Sequence, residues 1–172
     1  MINFEIKKVL FIDLDDTLIK TISGKTFPED ITDFRIQLSV LNKIVEKLPN
    51  LNNFYIVTNQ GGIGKFITQD DFETKISSIC KFCSDYLKDR YSTRTIIDDW
   101  EYCDSMDKTH PFRKPNTGML EWLIKGYKEL QKSQILMIGD ASGKPGDFSD
   151  SDKKCAENFC IDYIDVRDFL KL

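Results

Sequence analysis

Three short apolar runs, each leading straight into a polar or acidic residue, set the tightest limit on how this chain can fold. They are Val9 to Asp13 (VLFID), Phe54 to Thr58 (FYIVT) and Ile135 to Gly139 (ILMIG), the last followed at once by Asp140. A strand with one wet face alternates apolar and polar residues, whereas an unbroken apolar run suits a strand covered on both faces, as in a parallel sheet. Ile96 and Ile97 are read as part of a further strand, and Ile161 to Ile164 as a short last one.

Helical patterns lie between the runs. Leu38, Leu41, Ile44, Val45 and Leu48 recur at helical spacing and stop at Pro49-Asn50. A second helix opens at Thr68-Gln69-Asp70-Asp71, a start resembling a capping box, and places Phe72, Ile76, Ile79, Phe82, Cys83 and Tyr86 on one face. A third is expected from about Asn116 through Met119, Leu120, Leu123 and Tyr127 to Leu130. Strands alternating with helices predict an α/β fold: a doubly wound, Rossmann-like, mostly parallel sheet with helices on both faces. Such sheets bind ligands in the crevice outside the carboxyl ends of their strands, and Asp13, Thr58 and Asp140 all fall there. The stretch from Leu18 to Phe27 (LIKTISGKTF) carries a Ser23-Gly24-Lys25 turn signal and reads as a small hairpin flap. No other connection is long enough for a large cap domain. The 172 residues are expected to form one domain, 1–172.

Composition narrows the function classes. With 41% hydrophobic and 30% charged residues, the chain is neither disordered, collagenous nor a coiled coil. A net charge of −4 and a pI near 5.1 exclude wholesale attraction to nucleic acid or an anionic membrane, so a polyanionic partner would need a local positive patch. Five cysteines, an odd count, do not describe a disulfide scaffold. Cys80 and Cys83 form a CxxC pair, but inside a helical pattern with no second pair or nearby histidine, and are read as core. The N-terminus has no signal-peptide pattern, and no apolar run approaches the roughly 20 residues of a membrane span. A soluble intracellular monomer is expected, cytoplasmic, or nuclear in a eukaryote.

Four motifs carry chemistry. In Asp13-Leu14-Asp15-Asp16-Thr17, strand alternation places Asp13 and Asp15 on one side. Two like charges in a crevice are costly unless a cation sits between them or one is protonated. A hard cation such as Mg²⁺ can take a carboxylate and a backbone carbonyl, while a second carboxylate serves as general acid and base. Alone, the motif would equally describe an acidic turn. Thr58-Asn59-Gln60-Gly61-Gly62-Ile63-Gly64-Lys65 ends a strand in a hydroxyl and continues in glycine-rich backbone whose N–H groups suit phosphate oxygens. It is not a P-loop, because Asn59 stands where the first glycine belongs and Phe66 follows the lysine. In Phe112-Arg113-Lys114-Pro115, the proline holds Lys114 extended before the third helix, where its ammonium could neutralise a nucleophile and a phosphate. Gly139-Asp140, followed by Asp147, Asp150 and Asp152, offers a metal-binding carboxylate at a strand end, with Asp150 read as a solvated loop acid.

In this order, and at these places on the sheet, the four motifs resemble the haloacid dehalogenase superfamily over nearly the whole chain. Within it, SGKTFPEDITDFRI (Ser23 to Ile36), TNQGGIGK (Thr58 to Lys65), FRKPNTGMLEWL (Phe112 to Leu123) and GDASGKPGDFSDSDKKCAENF (Gly139 to Phe159) resemble the phosphatase domain of the polynucleotide kinase 3'-phosphatase family. The resemblance implies removal of a phosphate from the 3' end of a DNA strand break. It assigns Asp13 as nucleophile and Asp15 as general acid and base. Mg²⁺ would be held by the Asp13 carboxylate, the Asp15 carbonyl and Asp140, with Asp152 orienting that site. Thr58 and Lys114 would hold the phosphate oxygens, with Asn59, Gln60, Gly61, Lys65 and Arg113 as further substrate contacts. Lys25, Lys65, Arg113 and Lys144 are candidates for the local positive patch. Asp16 and Cys160 stand where the family pattern favours glycine, and with no kinase domain expected to follow, the resemblance carries over the phosphatase activity alone.

Two other readings stay open. Histidinol-phosphate and sugar-bisphosphate phosphatases share the TNQxGI and RKP motifs, but many carry a zinc loop of several Cys and His, where this chain offers only Cys103 and His110. A module that binds phosphorylated ends without turning them over is the other.

Overall fold

A computed structural model describes residues 2–25, 28–91 and 97–172. Strand β1 (Val9–Ile12) leads into a short β2 (Ile19–Lys20), β3 (Arg35–Ile36) and helix α1 (Leu38–Lys47). Then come β4 (Asn53–Asn59), α2 (Gln69–Tyr91), β5 (Ile97–Cys103) and α3 (Gly118–Ile124). The chain ends with β6 (Ile135–Gly139), α4 (Ser151–Phe159), β7 (Asp162–Asp165) and α5 (Val166–Phe169). Five strands form one sheet in the order β5-β4-β1-β6-β7, and every pairing in it is parallel.

The apolar runs are explained by two cores. Side chains alternate across a strand, so Leu10, Ile12, Phe54, Ile56, Leu136 and Ile138 face α1, α2 and α5 through Leu41, Ile44, Phe72, Ile76 and Phe169. Their neighbours Val9, Phe11, Tyr55, Val57, Ile135 and Met137 face α3 and α4 through Met119, Leu120, Cys155 and Ala156. The sheet is therefore covered on both sides, as doubly wound folds require. Ile12 lies level with Ile56 and Ile138, so Asp13, Thr58 and Asp140 all fall within two residues of one level and reach one crevice.

Several elements depart from expectation for identifiable reasons. The flap is larger than Leu18 to Phe27: β2 pairs antiparallel with Arg35–Ile36, and Ser23-Gly24-Lys25 lies in the loop between them. That loop is organised by the buried Asp33, whose carboxylate accepts from the backbone N–H groups of Ile22 (2.8 Å), Ser23 (2.8 Å) and Glu29 (2.9 Å) and from the Ser23 hydroxyl (2.6 Å). These bonds, the Ser23 hydroxyl first, lower the Asp33 pKa to about 2. Thr26 and Phe27 of the expected flap lie outside the described residues, as does Ile96 of the expected fourth strand. Strand β5 runs on through Asp98, Asp99 and Glu101 because it is an edge, where polar residues reach water. Asp98 is also used: it accepts from the Phe54 N–H at 2.7 Å, where the β4–β5 register shifts. Helix α3 stops at Ile124, short of the expected Leu130; Gly126 follows, and Tyr127 hydrogen-bonds the Tyr55 hydroxyl (2.7 Å) from beyond the helix.

Other features follow the sequence closely. Thr68 caps α2, accepting from the Asp71 N–H (3.1 Å) and donating to its carboxylate (2.7 Å). Cys80 and Cys83 pack in that helix, and burial pushes both thiols up to about 12, which makes them poor nucleophiles or metal ligands. Cys160 takes the left-handed conformation (φ 57°) that ends α4, a position that favours glycine. Among the described residues, no helix is long and apolar enough to cross a membrane.

Candidate active site

The site starts where β1 leaves the sheet. The Asp13 N–H donates to the Ile138 carbonyl (2.9 Å), a last rung that fixes the buried carboxylate between the ends of β4 and β6. Asp16 then adopts φ 56°, a left-handed turn that aspartate tolerates better than most residues, and the chain doubles back so that Leu18 and Ile19 both donate to the Leu14 carbonyl (2.9 Å). This turn buries Thr17, whose hydroxyl reaches the Asp140 carboxylate at 3.3 Å.

Lys114 is 3% exposed and spends its three protons on three acceptors: Asp13 Oδ1 (2.6 Å), Asp152 Oδ1 (2.7 Å) and the Val57 carbonyl (2.9 Å). Its backbone is held as firmly. Asn59 at the end of β4 accepts from the Lys114 N–H (2.9 Å) and donates to its carbonyl (3.0 Å), so a side-chain amide imitates one more rung of ladder. Asp152, at the start of α4, also accepts from the Ala141 N–H (3.2 Å). It fits only because residue 139 is glycine: a Cβ there would lie 2.2 Å from Asp152 Oδ2.

Gln60 ties the remaining pair together. Its Nε2 donates to Asp15 Oδ2 (2.6 Å) and to Thr58 Oγ1 (3.0 Å). The Thr58 hydroxyl thereby accepts from Gln60 and keeps its own proton for another acceptor. The Gln60 N–H is spent on the Cys103 carbonyl (2.7 Å).

Charge at the site is unbalanced. Carboxylate oxygens of Asp13, Asp140 and Asp152 lie within 4.8 Å of one another around a single ammonium. Burial raises the Asp13 pKa, and the Lys114 charge pulling it down does not prevail against burial reinforced by Asp152 and Asp140. Asp140 is pushed up to about 6 by burial, then by the charges of Asp152 and Asp16. Burial works to lower the Lys114 pKa, but Asp13 and Asp152 outweigh it and hold the ammonium protonated. Hard carboxylate oxygens in a pocket short of positive charge fit a divalent cation such as Mg²⁺. The Asp15 carboxylate stands apart from this cluster, turned to Gln60.

The loop after β6 is fixed by a separate network. Ser142 donates to Asp147 (2.8 Å) and lies 2.8 Å from Asp165, while Arg167 pairs with both Asp147 (2.8 Å) and Asp165. Arg167 also donates to the Asp140 carbonyl (3.3 Å), tying the acid-bearing turn to α5.

Asp13, Lys114, Asp140 and Asp152 thus converge directly, and Asp15 joins Thr58 through Gln60. Asn59 and Gln60, expected at the substrate, turn their side chains to Lys114 and Asp15. Arg113 donates to the Ser105 carbonyl (2.6 Å) beside Gly61, and Lys65 is exposed on the loop. Two of the four expected patch residues are engaged by acids, Lys25 by Glu29 and Lys144 by Asp165 (3.2 Å) and Asp168 (2.5 Å). Asp150 pairs with Lys154 (2.6 Å), away from the cluster. Thr17 and Arg167 were missed. Thr17 had a signal, a hydroxyl amid the apolar Leu14 and Leu18; Arg167 lies 27 residues past its acceptor Asp140 and had none.

A five-stranded parallel sheet with a small flap and these motifs at its carboxyl edge is the haloacid dehalogenase-like phosphatase fold. D,D-heptose bisphosphate phosphatase from B. bronchiseptica, solved with magnesium and phosphate, superposes with a TM-score of 0.64 at 15% identity, over 88% of this chain and 75% of that one. More narrowly, residues 8–169 match the family described as polynucleotide kinase 3 phosphatase, and the chain belongs to that family. The bifunctional polynucleotide phosphatase/kinase of Schizosaccharomyces pombe is 32% identical over 167 residues, 91% of this chain but 36% of that protein. The histidine biosynthesis bifunctional protein HisB of Legionella pneumophila is 27% identical over 171 residues, 93% of this chain and 41% of that protein. The chain therefore spans well under half the length of either relative.

Proposed function

We propose that this chain acts as a single-domain, Mg²⁺-dependent polynucleotide 3'-phosphatase, with DNA strand breaks as its setting. The observation that carries the reading is the Lys114 ammonium bridging Asp13 and Asp152 at the end of the central strand, in a chain whose family is polynucleotide kinase 3 phosphatase. Asp13 and Asp140 would hold the cation, with Asp152 and the Asp15 carbonyl beside them. Bound there, Mg²⁺ supplies positive charge that offsets repulsion between a carboxylate and a phosphate dianion. An Asp13 oxygen attacks phosphorus, and the bond from phosphorus to the 3' oxygen breaks. Asp15 would act as the general acid that gives a proton to that leaving oxygen. With Oδ2 accepting from Gln60, Oδ1 is left to carry the proton. Water then attacks the aspartyl-phosphate, Asp15 takes its proton, and the bond between Asp13 and phosphorus breaks to release phosphate. Thr58 would hold a phosphoryl oxygen with the proton it keeps, and the Lys114 ammonium would offset phosphoryl charge from beside Asp13, so catalysis is mainly positioning and charge.

A small-metabolite phosphatase is the second reading, favoured by the HisB relative. Against it stands the zinc loop of that group, of which this chain keeps only Cys103 and His110, whose Sγ and Nδ1 lie 3.4 Å apart. Rates on a 3'-phosphorylated oligonucleotide, a 5'-phosphorylated one, histidinol phosphate and heptose bisphosphate, with and without Mg²⁺, separate the two. The first substrate should dominate, only with the metal, and Asp13→Asn should abolish turnover. A preference for either metabolite overturns the substrate, and full activity of Asp13→Asn overturns the nucleophile.

A further inference from the structure

The most exposed large apolar side chains among those described lie in segments that follow strands. Phe66 is 91% exposed, Phe148 85%, Ile22 67% and Met106 58%, more than any other large apolar residue among those described. Each sits in a segment beyond the carboxyl end of a strand: Ile22 in the flap, Phe66 after β4, Met106 after β5, Phe148 after β6. Exposed apolar surface next to a polar crevice can serve as a binding surface, and Phe66 is the most exposed of these side chains.

Phe66 is presented rigidly. The Phe66 N–H donates to the Gly62 carbonyl (2.9 Å), the Gly64 N–H to the Ile67 carbonyl (2.8 Å), and Gly64 takes φ 79°, closing a tight turn. On either side, Ile63 and Ile67 pack against the core. The same turn starts at Gln60, which touches Asp15, and passes Gly61, where a Cβ would lie 3.5 Å from the Arg113 guanidinium. Beside the ring, Lys65 has no acidic partner among the described residues, in a chain of net charge −4. An anchored aromatic face next to an uncompensated cation, one turn away from the reacting carboxylates, matches a nucleobase joined to a phosphodiester.

We infer that Phe66 is a stacking platform for a base of the strand whose 3' phosphate enters the site, with Lys65 meeting that strand's backbone. The inference rests on the polynucleotide reading above. Phe66→Ala should lower kcat/KM for a 3'-phosphorylated oligonucleotide by roughly tenfold, mostly through KM. On the same oligonucleotide made abasic in its last nucleotides, the loss should shrink to within about twofold. In an Asp13→Asn background, Phe66→Trp should show indole quenching on adding the phosphorylated oligonucleotide, beyond that of Asp13→Asn alone. Equal losses on both substrates, no loss with bases present, or no added quenching overturns the platform. If the unaltered protein turns over neither oligonucleotide, the polynucleotide reading fails and takes the platform with it.

Discussion

Close approach governs the site at the scale of single residues. Gly139 is required because Asp152 lies where its side chain would be, and Asp152 in turn holds Lys114. Gly139→Ala is expected to displace Asp152 and lower kcat about 10- to 100-fold, the usual cost of losing a group that orients a metal site. Steady-state kinetics checks this, with circular dichroism confirming that the sheet persists. Gln60→Ala should lower kcat more than it raises KM, because the amide holds Asp15 beside Thr58, whereas a pure substrate contact would move KM alone. Asp13, Thr58 and Asp140 were legible in the sequence because each lies at the end of a strand, and Lys114 because Pro115 follows it in the loop before α3. The partners of Asn59 and Gln60 were not, since a side-chain amide serves a ligand or a neighbouring chain equally well and only the fold decides.

Element by element, α1, α2 and the apolar central strands were read correctly, α3 was expected to run past its true end at Ile124, and the parts held by long-range bonds were read least well. Strand β5 hid behind its acids, and the flap's return strand lay beyond a loop that Asp33 folds by itself. Asp33→Asn should free that loop, seen as faster amide hydrogen exchange at Ile22, Ser23 and Glu29. Because the folded pKa is about 2 and the unfolded value near 3.9, ionised Asp33 stabilises the flap above about pH 4 and loses that effect as pH falls toward 2. Protection of the same three amides should fall over that window. At the end of α4, Cys160→Gly should stabilise the fold by about 0.5–1 kcal/mol in urea titration, since glycine relieves the left-handed strain but costs some chain entropy.

Across the whole molecule, the cluster of carboxylates leaves a charge deficit that folding alone does not cancel. Raised pKa values at Asp13 and Asp140 mean that these groups favour the folded form in acid and lose that contribution as pH rises, for Asp140 through about 6. Mg²⁺ should therefore raise the melting temperature more at pH 7.5 than at pH 5, with about 2–4 °C for each kcal/mol of stabilisation. Differential scanning with and without chelator measures it, and an equal rise at both values would argue against a cation among these acids. The pairing of Lys114 with Asp13 joins positions 101 residues apart, and Asp152 arrives later still. A nascent chain must therefore emerge as far as Asp152 before the lysine meets both acids. Until then the ammonium lacks its second counterion, so the cluster of Asp13, Lys114 and Asp152 closes only after β1, β4 and β6, the strands that frame it, have been made.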